Sequence, residues 1–387
     1  MKDEVLFEIK QEHLETGLRG FPVGYCTTST VDPQLGLFYA GKSVAEMKDQ
    51  TPESVIFLLL NAREGSQQEV DALTQDLRAR SGISKQTIEA IYQLPRTVHP
   101  MKLFSLVLVL YGSFQGKNDY REDCLNLIAN LPELAAHVIT YHAGWKMRPS
   151  HPEKGYMDNF THMLHVPNVD QEGLKEVFRL FNILHFDHGG GNLSTFVGKA
   201  IASGMEDLFG SLAGAMFALD GPRHGRANQD CLEFTKEVHK ELREGCSVKQ
   251  VEDYIRRRLE SNRLIFGFGH AVLRVEDPRA TIFYTVAQER YAKHPLVELA
   301  LKLRQAGPKV LMENPKISDP YPNVDAISGI LLTAAGFAYP EYYTLLFGLS
   351  RCVGIGIQIV YERCYARGGR GTPIVRPKYI YKQPEMI

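Results

Sequence analysis

The chain has 387 residues, room for about two ordinary domains or for one large domain carrying a smaller insertion. Its 44 lysines and arginines stand against 45 aspartates and glutamates, so no global field exists for a nucleic-acid backbone or an anionic membrane, and an anionic ligand has to be met by local arginines. A hydrophobic share of 44% and a charged share of 23% exclude extended disorder, collagen-like repeats and coiled coils.

Along the chain, Met1-Lys2-Asp3-Glu4-Val5 is acidic early and is followed by no apolar or Arg/Ser-rich leader, so no targeting segment is expected. Between Tyr25 and Gly41, two β-favouring stretches around Asp32-Pro33 predict a small hairpin. Thr51-Pro52-Glu53 reads as an N-cap with proline at the first helical position, and Val55, Ile56, Leu58, Leu59 and Leu60 supply the apolar stripe behind it. The same periodicity predicts helices over 68–80, 85–93, 101–113, 121–142, 171–188, 193–203, 206–218, 228–243, 248–260, 278–292, 296–305, 324–336 and 341–366. Gly82, Pro95, Gly204, Gly245, Gly307 and Gly368 serve as stops. The apolar stretch from Ile327 to Tyr361 is interrupted by Pro340, Glu341 and Arg351, short of the ~18 uninterrupted residues of a membrane span, and reads as two buried helices. The expected fold class is mainly α. The six cysteines form no C-x-x-C pair, which points to a reducing compartment rather than a zinc ribbon or disulfide framework.

Three segments break the helical rhythm with glycine beside histidine: Asp187-His188-Gly189-Gly190-Gly191, Gly221-Pro222-Arg223-His224-Gly225 and Gly267-Phe268-Gly269-His270. Glycines allow turns closed to other residues and let a ligand approach, and helix-to-loop junctions are where function concentrates. His185-x-x-His188 shares one helix face, yet neither an H-E-x-x-H pattern nor a nearby cysteine accompanies it, so no metal is expected. Gly267-Phe268-Gly269 lacks the third glycine and the preceding strand of a dinucleotide site. Arg351 lies in a helix apolar on nearly every face, so its charge must meet either an internal carboxylate or a bound anion. With Arg279 and Arg376 it suggests a small polycarboxylate ligand.

These residues belong to segments spread over nearly the whole length. They include Gly17-Leu18-Arg19-Gly20, His99-Pro100-Met101, Asn159-Phe160-Thr161-His162-Met163-Leu164, Gly190-Gly191-Asn192, Ala227-Asn228-Gln229, His270-Ala271-Val272-Leu273-Arg274, Asp277-Pro278-Arg279, Pro322-Asn323-Val324-Asp325-Ala326, Ser350-Arg351 and Arg376-Pro377-Lys378. In them the chain resembles the citrate synthase family, nearest its eukaryotic-type branch. The resemblance implies condensation of acetyl-CoA with oxaloacetate, with Asp325 as general base, His224 donating to the thioester oxygen and His270 to the ketone. It implies His188, His270, Arg279, Arg351 and Arg376 as oxaloacetate and citrate ligands. For coenzyme A it implies Arg274, the backbone from Leu264 to Ala271 including Gly267 and Gly269, and more weakly Arg19 and Lys316. No permanently bound cofactor is implied, the coenzyme A thioester being a cosubstrate.

A helical two-domain fold is likewise implied, with a large domain from 1–224 and 333–387 and a small one from 225–332. A homodimer would place Arg376 in the partner's site, and with no leader in view a bacterial cytoplasmic enzyme is expected ahead of a mature mitochondrial form. The chain departs from the pattern at Arg223 and Arg226, which add charge beside His224 and are expected to bind an anion or shift its pKa, and at Gly189, Ile327 and Ser318. Two alternatives stay open: 2-methylcitrate synthesis from propionyl-CoA, one methylene apart, and a silent helical interaction protein.

Overall fold

The structure, a computed structural model, describes residues 5–383. Near the N-terminus β1 (Ser29–Asp32) and β2 (Gly36–Tyr39) form the expected hairpin, with Ser29 opposite Tyr39 and Asp32 opposite Gly36. A short β3 (Lys42–Ser43) adds a third antiparallel strand that the pattern did not reveal. The named elements after it are, among the described residues, all helices: α1 (Pro52–Asn61), α2 (Gln67–Arg80), α3 (Lys85–Ile91), α4 (Pro100–Gln115), α5 (Tyr120–Ala143), α6 (Tyr156–Leu164), α7 (Gln171–His185) and α8 (Leu193–Ser203). There follow α9 (Leu208–Leu219), α10 (Ala227–Leu242), α11 (Val248–Glu260), α12 (Pro278–Tyr291), α13 (Pro295–Leu311), α14 (Asp325–Ala334) and α15 (Tyr343–Val360).

Side-chain caps explain most of the starts. Thr51 accepts from the Ser54 N–H ahead of Pro52, Ser66 and Ser247 make capping boxes, and Asp119, Asp170, Asn192, Asp207 and Asp277 each accept a first-turn amide. Two expectations need correction. The sequence reading left out α6, whose N-cap is Gly155 with no side-chain bond to announce it. Gly307 does not end α13, which runs on through Gly307 and Pro308 to Leu311. A Cβ at Gly307 would lie 2.2 Å from the Phe268 ring, so this glycine serves close packing, not termination. The helix expected over 341–366 runs without a break from Pro340 to Tyr365, opening on a 3₁₀ turn (Pro340–Tyr342), continuing as α15 and closing on a π turn (Tyr361–Tyr365).

One large hydrophobic core gathers α1, α4 to α9, α12, α14 and α15. A second, smaller core joins Phe234 and Val238 of α10, Val251 and Ile255 of α11, and Leu303 and Val310 of α13. The run Pro340–Tyr365 is long and apolar enough to cross a membrane by length and composition, and 89% of an 18-residue apolar window within it is buried in the fold. It forms with α14 the pair of buried helices expected.

Candidate active site

The three glycine–histidine junctions converge. α7 stops at His185 because the Phe186 N–H turns back to Ile183 O, which releases Asp187 and His188 from the helix predicted to run to 188. Asp187, fully buried, then holds the loop: its carboxylate accepts from the Thr28 hydroxyl, from Gln358 Nε2 at 2.9 Å and from the His188 N–H at 2.9 Å. Ser29 of β1 accepts from the Gly189 N–H at 2.7 Å, so the hairpin braces the His188 loop. The His188 and His270 rings lie 5.2 Å apart, and His188 Nε2 is buried without a partner.

The His270 loop is stitched to the start of α14. Gly269 N–H donates to Tyr321 O at 3.0 Å, Asn323 N–H to Gly267 O at 3.0 Å, and Asn323 Nδ2 to Gly269 O at 2.9 Å. Gly267 has φ of +82°, and a Cβ there would stand 2.8 Å from the Ala326 backbone, so only glycine permits this approach. The stitching places His270 and Asp325 in one neighbourhood, with the Arg279 charge felt by both.

Ring protons follow from the backbone donors. The Val272 and Leu273 N–H groups donate to His270 Nδ1 at 3.0 and 2.9 Å, so the neutral ring carries its proton on Nε2. The Ser194 N–H donates to His224 Nε2 at 3.2 Å, so that ring carries its proton on Nδ1. Burial pushes both rings down to about 4, assisted by Arg351 at His224 and by Arg279 at His270. His188 is held well below the usual histidine range by burial and then by Arg279 and Arg351. All three are therefore neutral at pH 7, and the first two are hydrogen-bond donors with a fixed tautomer.

The two central arginines resolve differently. Arg279, 3% exposed, is paired with Asp277 two residues earlier, at 2.6 Å from Nη2 to Oδ2. Burial alone would raise the Asp277 carboxyl, and the Arg279 guanidinium more than offsets it. Arg351, 2% exposed, donates Nε to His185 O at 3.1 Å and stands over the Phe347 ring at 4.7 Å, yet no carboxylate of the described residues lies within ion-pair distance. Burial pushes it down to about 10, so it stays charged at neutral pH. Asp325 is pushed up to about 6 by burial, against the lowering pull of Arg279.

Other predicted residues lie elsewhere. Arg376 is exposed in the irregular tail after the π turn and is not brought to this cluster by its own chain. Arg274 is exposed, its Nη1 folded onto the carbonyls of Val272 and Leu273 at 3.0 and 2.6 Å. Leu264 is 72% exposed, Ala271 and Lys316 are exposed, and Arg19 lies exposed in the N-terminal turns. Arg226 is paired with Asp220, Arg223 is exposed, and neither is what lowers His224. The pair His185 and His188 does not converge on a metal: His185 stacks on Phe181 and its Nδ1 donates to Phe181 O at 2.8 Å. Among the described residues no three His, Cys, Asp or Glu side chains are gathered to hold one.

A family model described as "Citrate synthase, C-terminal domain" matches residues 17–378. The chain belongs to the citrate synthase family. Citrate synthase 4, mitochondrial, of Arabidopsis thaliana is 36% identical over 391 residues, covering 94% of this chain and 80% of the relative. The peroxisomal citrate synthase of Saccharomyces cerevisiae is 32% identical over 396 residues, covering 96% and 84%. Citrate synthase from Thermoplasma acidophilum, solved as a ternary complex with carboxymethyl coenzyme A and oxaloacetate, superposes with a TM-score of 0.83 at 23% identity, covering 96% of each chain. The mainly helical fold expected from the resemblance is thus the fold of citrate synthases, and the family is one of acyl-transferring condensing enzymes.

Four residues beside the citrate synthase motifs escaped the sequence reading as site components: Asp277, Ser194, Thr28 and Gln358. Asp277 stood in the Asp277-Pro278-Arg279 segment with no role of its own, Ser194 meets His224 through its backbone and hydroxyl, and Thr28 and Gln358 meet Asp187 from far along the chain.

Proposed function

We propose that the protein condenses acetyl-CoA with oxaloacetate and hydrolyses the citryl-CoA formed to citrate and coenzyme A. The observation that carries this is Arg351: a buried cation that feels the Asp187 charge but enters no ion pair among the described residues leaves room for a bound carboxylate, and the neutral His224, with its donor nitrogen fixed, is close enough to feel the same charge. A buried unpaired charge costs several kcal/mol, so the site is built to be completed by an anion.

In this reading Asp325 takes a proton from the thioester methyl group as His224 donates its Nδ1–H to the thioester oxygen, where negative charge develops. His270 donates its Nε2–H to the ketone oxygen of oxaloacetate and makes the carbonyl carbon electrophilic. The enol carbon attacks it, and water then cleaves the thioester and releases the thiol. Neutral histidines suit this task, since each has to hold its proton until charge arrives. His188, Arg279 and Arg351 clamp the dicarboxylate, and Arg274 with the segment from Leu264 to Ala271 receives coenzyme A, for which its exposed guanidinium would swing outward. Oxaloacetate and carboxymethyl coenzyme A on the archaeal relative support both substrate classes.

Release of free thiol from acetyl-CoA, dependent on oxaloacetate, tests the proposal. Propionyl-CoA is expected to react more slowly by about 10-fold or more, the worth of one methylene in a fitted pocket. Equal or faster release from propionyl-CoA would favour 2-methylcitrate synthesis, and none from either would favour a silent interaction protein.

We further propose that residues 225–332 move as the small domain, supported by the separate core of α10, α11 and α13. Arg279 and Arg351 fall on opposite sides of that division, so oxaloacetate binding energy would drive closure. X-ray scattering should show a smaller radius at saturating oxaloacetate, and identical profiles would sink the idea.

A homodimer is proposed as the working form. Leu106, Val109 and Phe114 of α4 and Phe217 of α9 expose apolar surface on two helices that pack together, a face suited to a second copy. The relatives are named mitochondrial or peroxisomal, which favours the organellar alternative over the bacterial cytoplasmic one.

A further inference from the structure

The loop that carries His224 is closed at its base by an ion pair. Asp220, 5% exposed, is the C-cap of α9, and Arg226 is the N-cap residue of α10 with no side-chain cap bond of its own. Arg226 Nη2 donates to Asp220 Oδ1 at 3.1 Å, joining the two feet of the loop. Inside that clasp the Gly225 N–H donates to Leu219 O at 2.9 Å and the His224 N–H to Gly221 O at 2.9 Å. A Cβ on Gly225 would stand 2.4 Å from Leu219 O, so the crossing is tight. The Thr344 hydroxyl ties Gly225 O to α15 at 3.2 Å, and the His99 ring stands 3.3 Å from the same Asp220 oxygen.

The His224 side chain itself is tethered only at Nε2, to the Ser194 N–H and hydroxyl. The direction in which its Nδ1–H points is therefore set by the backbone of the loop. We infer that Arg226 is a positioning residue: its ion pair with Asp220 clasps the loop and aims the His224 donor, a role that deepens the reaction proposed above and rests on it. The pair also explains why a cation beside a neutral histidine is tolerated, because the Arg226 charge is directed at Asp220. Removing the cation strands a buried carboxylate, which the loop can relieve only by shifting. A shift near 1 Å in a reacting group lowers rates by up to about 100-fold.

The test uses full-length Arg226→Met, Arg226→Lys and Asp220→Asn enzymes. Arg226→Met should lower kcat for thiol release by about 10-fold or more with KM for oxaloacetate unchanged, since His188, Arg279 and Arg351 lie on other elements. Lysine, which keeps a cation within reach of Asp220, should restore most of the rate, and Asp220→Asn should reproduce the methionine variant. Wild-type kcat in Arg226→Met overturns the inference, as does an equal loss of oxaloacetate affinity, the mark of general loosening. Nitrogen-15 spectra of labelled histidine, with His224 assigned through His224→Asn, give a readout apart from turnover. The His224 ring signals should show the Nδ1–H form in the wild type, shift or broaden in Arg226→Met and return in Arg226→Lys. Unchanged signals overturn the inference even where the wild type releases no thiol, the outcome that would instead overturn the proposed reaction.

Discussion

Replacing Asp325 with asparagine is expected to lower condensation by roughly 10²–10⁴-fold while oxaloacetate binding stays within about twofold, because a general base touches the methyl carbon's proton and not the keto acid. The substitution is nearly isosteric, and no hydrogen bond to the Asp325 carboxylate is found among the described residues, so none is lost with the charge, and the attraction of Arg279 is the interaction removed. Calorimetric titration with oxaloacetate beside a thiol-release assay reads both quantities. Affinity lost in proportion to turnover would mark Asp325 as structural.

The elevated carboxyl adds two further expectations. With its pKa pushed from 3.8 to about 6, Asp325 is ionised only above that region, so wild-type turnover should fall as pH drops through about 6. Between those two values the unfolded chain holds fewer protons at this position than the folded chain, so stability declines as pH rises through the window. At pH 7 the asparagine variant should therefore melt higher than wild type, by on the order of 1–2 kcal/mol once partial exposure is discounted. A variant that is inactive yet more stable is the signature of a residue held at a cost for chemistry.

How much of this could be read in the residues depends on the range of the interaction. Ser66, Asp119 and Asp207 were not read as caps, but the start of α1 was legible because Thr51, acting in the same way as they do, meets an amide three positions away. α6 was not, since Gly155 leaves no such mark, and Gly307 misled because its partner Phe268 is distant in sequence. At the site the buried Arg351 was legible from the apolar helix around it, while the two possible fates of such an arginine were not separable. The structure divides them: Arg279 is ion-paired with Asp277, whereas Arg351 enters no ion pair among the described residues and feels Asp187 only from beyond that distance. Tautomers lay beyond any sequence reading, because the donors that fix them are backbone amides of Ser194, Val272 and Leu273, whose identities carry no trace of the role.

Arg376 is the remaining arginine, and its expected partner is a second chain. Beyond the π turn the chain runs without regular structure from 372 to 383, anchored where the Val375 N–H donates to Ser203 Oγ at 2.9 Å at the end of α8, and Arg376 extends from there into solvent. An extended tail can reach a neighbour, and two-fold symmetry would make the reach reciprocal. Arg376→Ala and Asp325→Asn homodimers should each be nearly inactive, one lacking part of the clamp and the other the base. In a mixed dimer the subunit that keeps Asp325 receives Arg376 from its partner, which restores one site of two. Random pairing makes about half of all dimers mixed, so equal amounts refolded together should recover roughly a quarter of wild-type activity. If Arg376 served its own chain, every site in the mixture would lack one of the two groups. Native mass spectrometry showing mixed dimers, together with no recovered thiol release, would refute sharing, because the missing activity could not then be blamed on failed exchange.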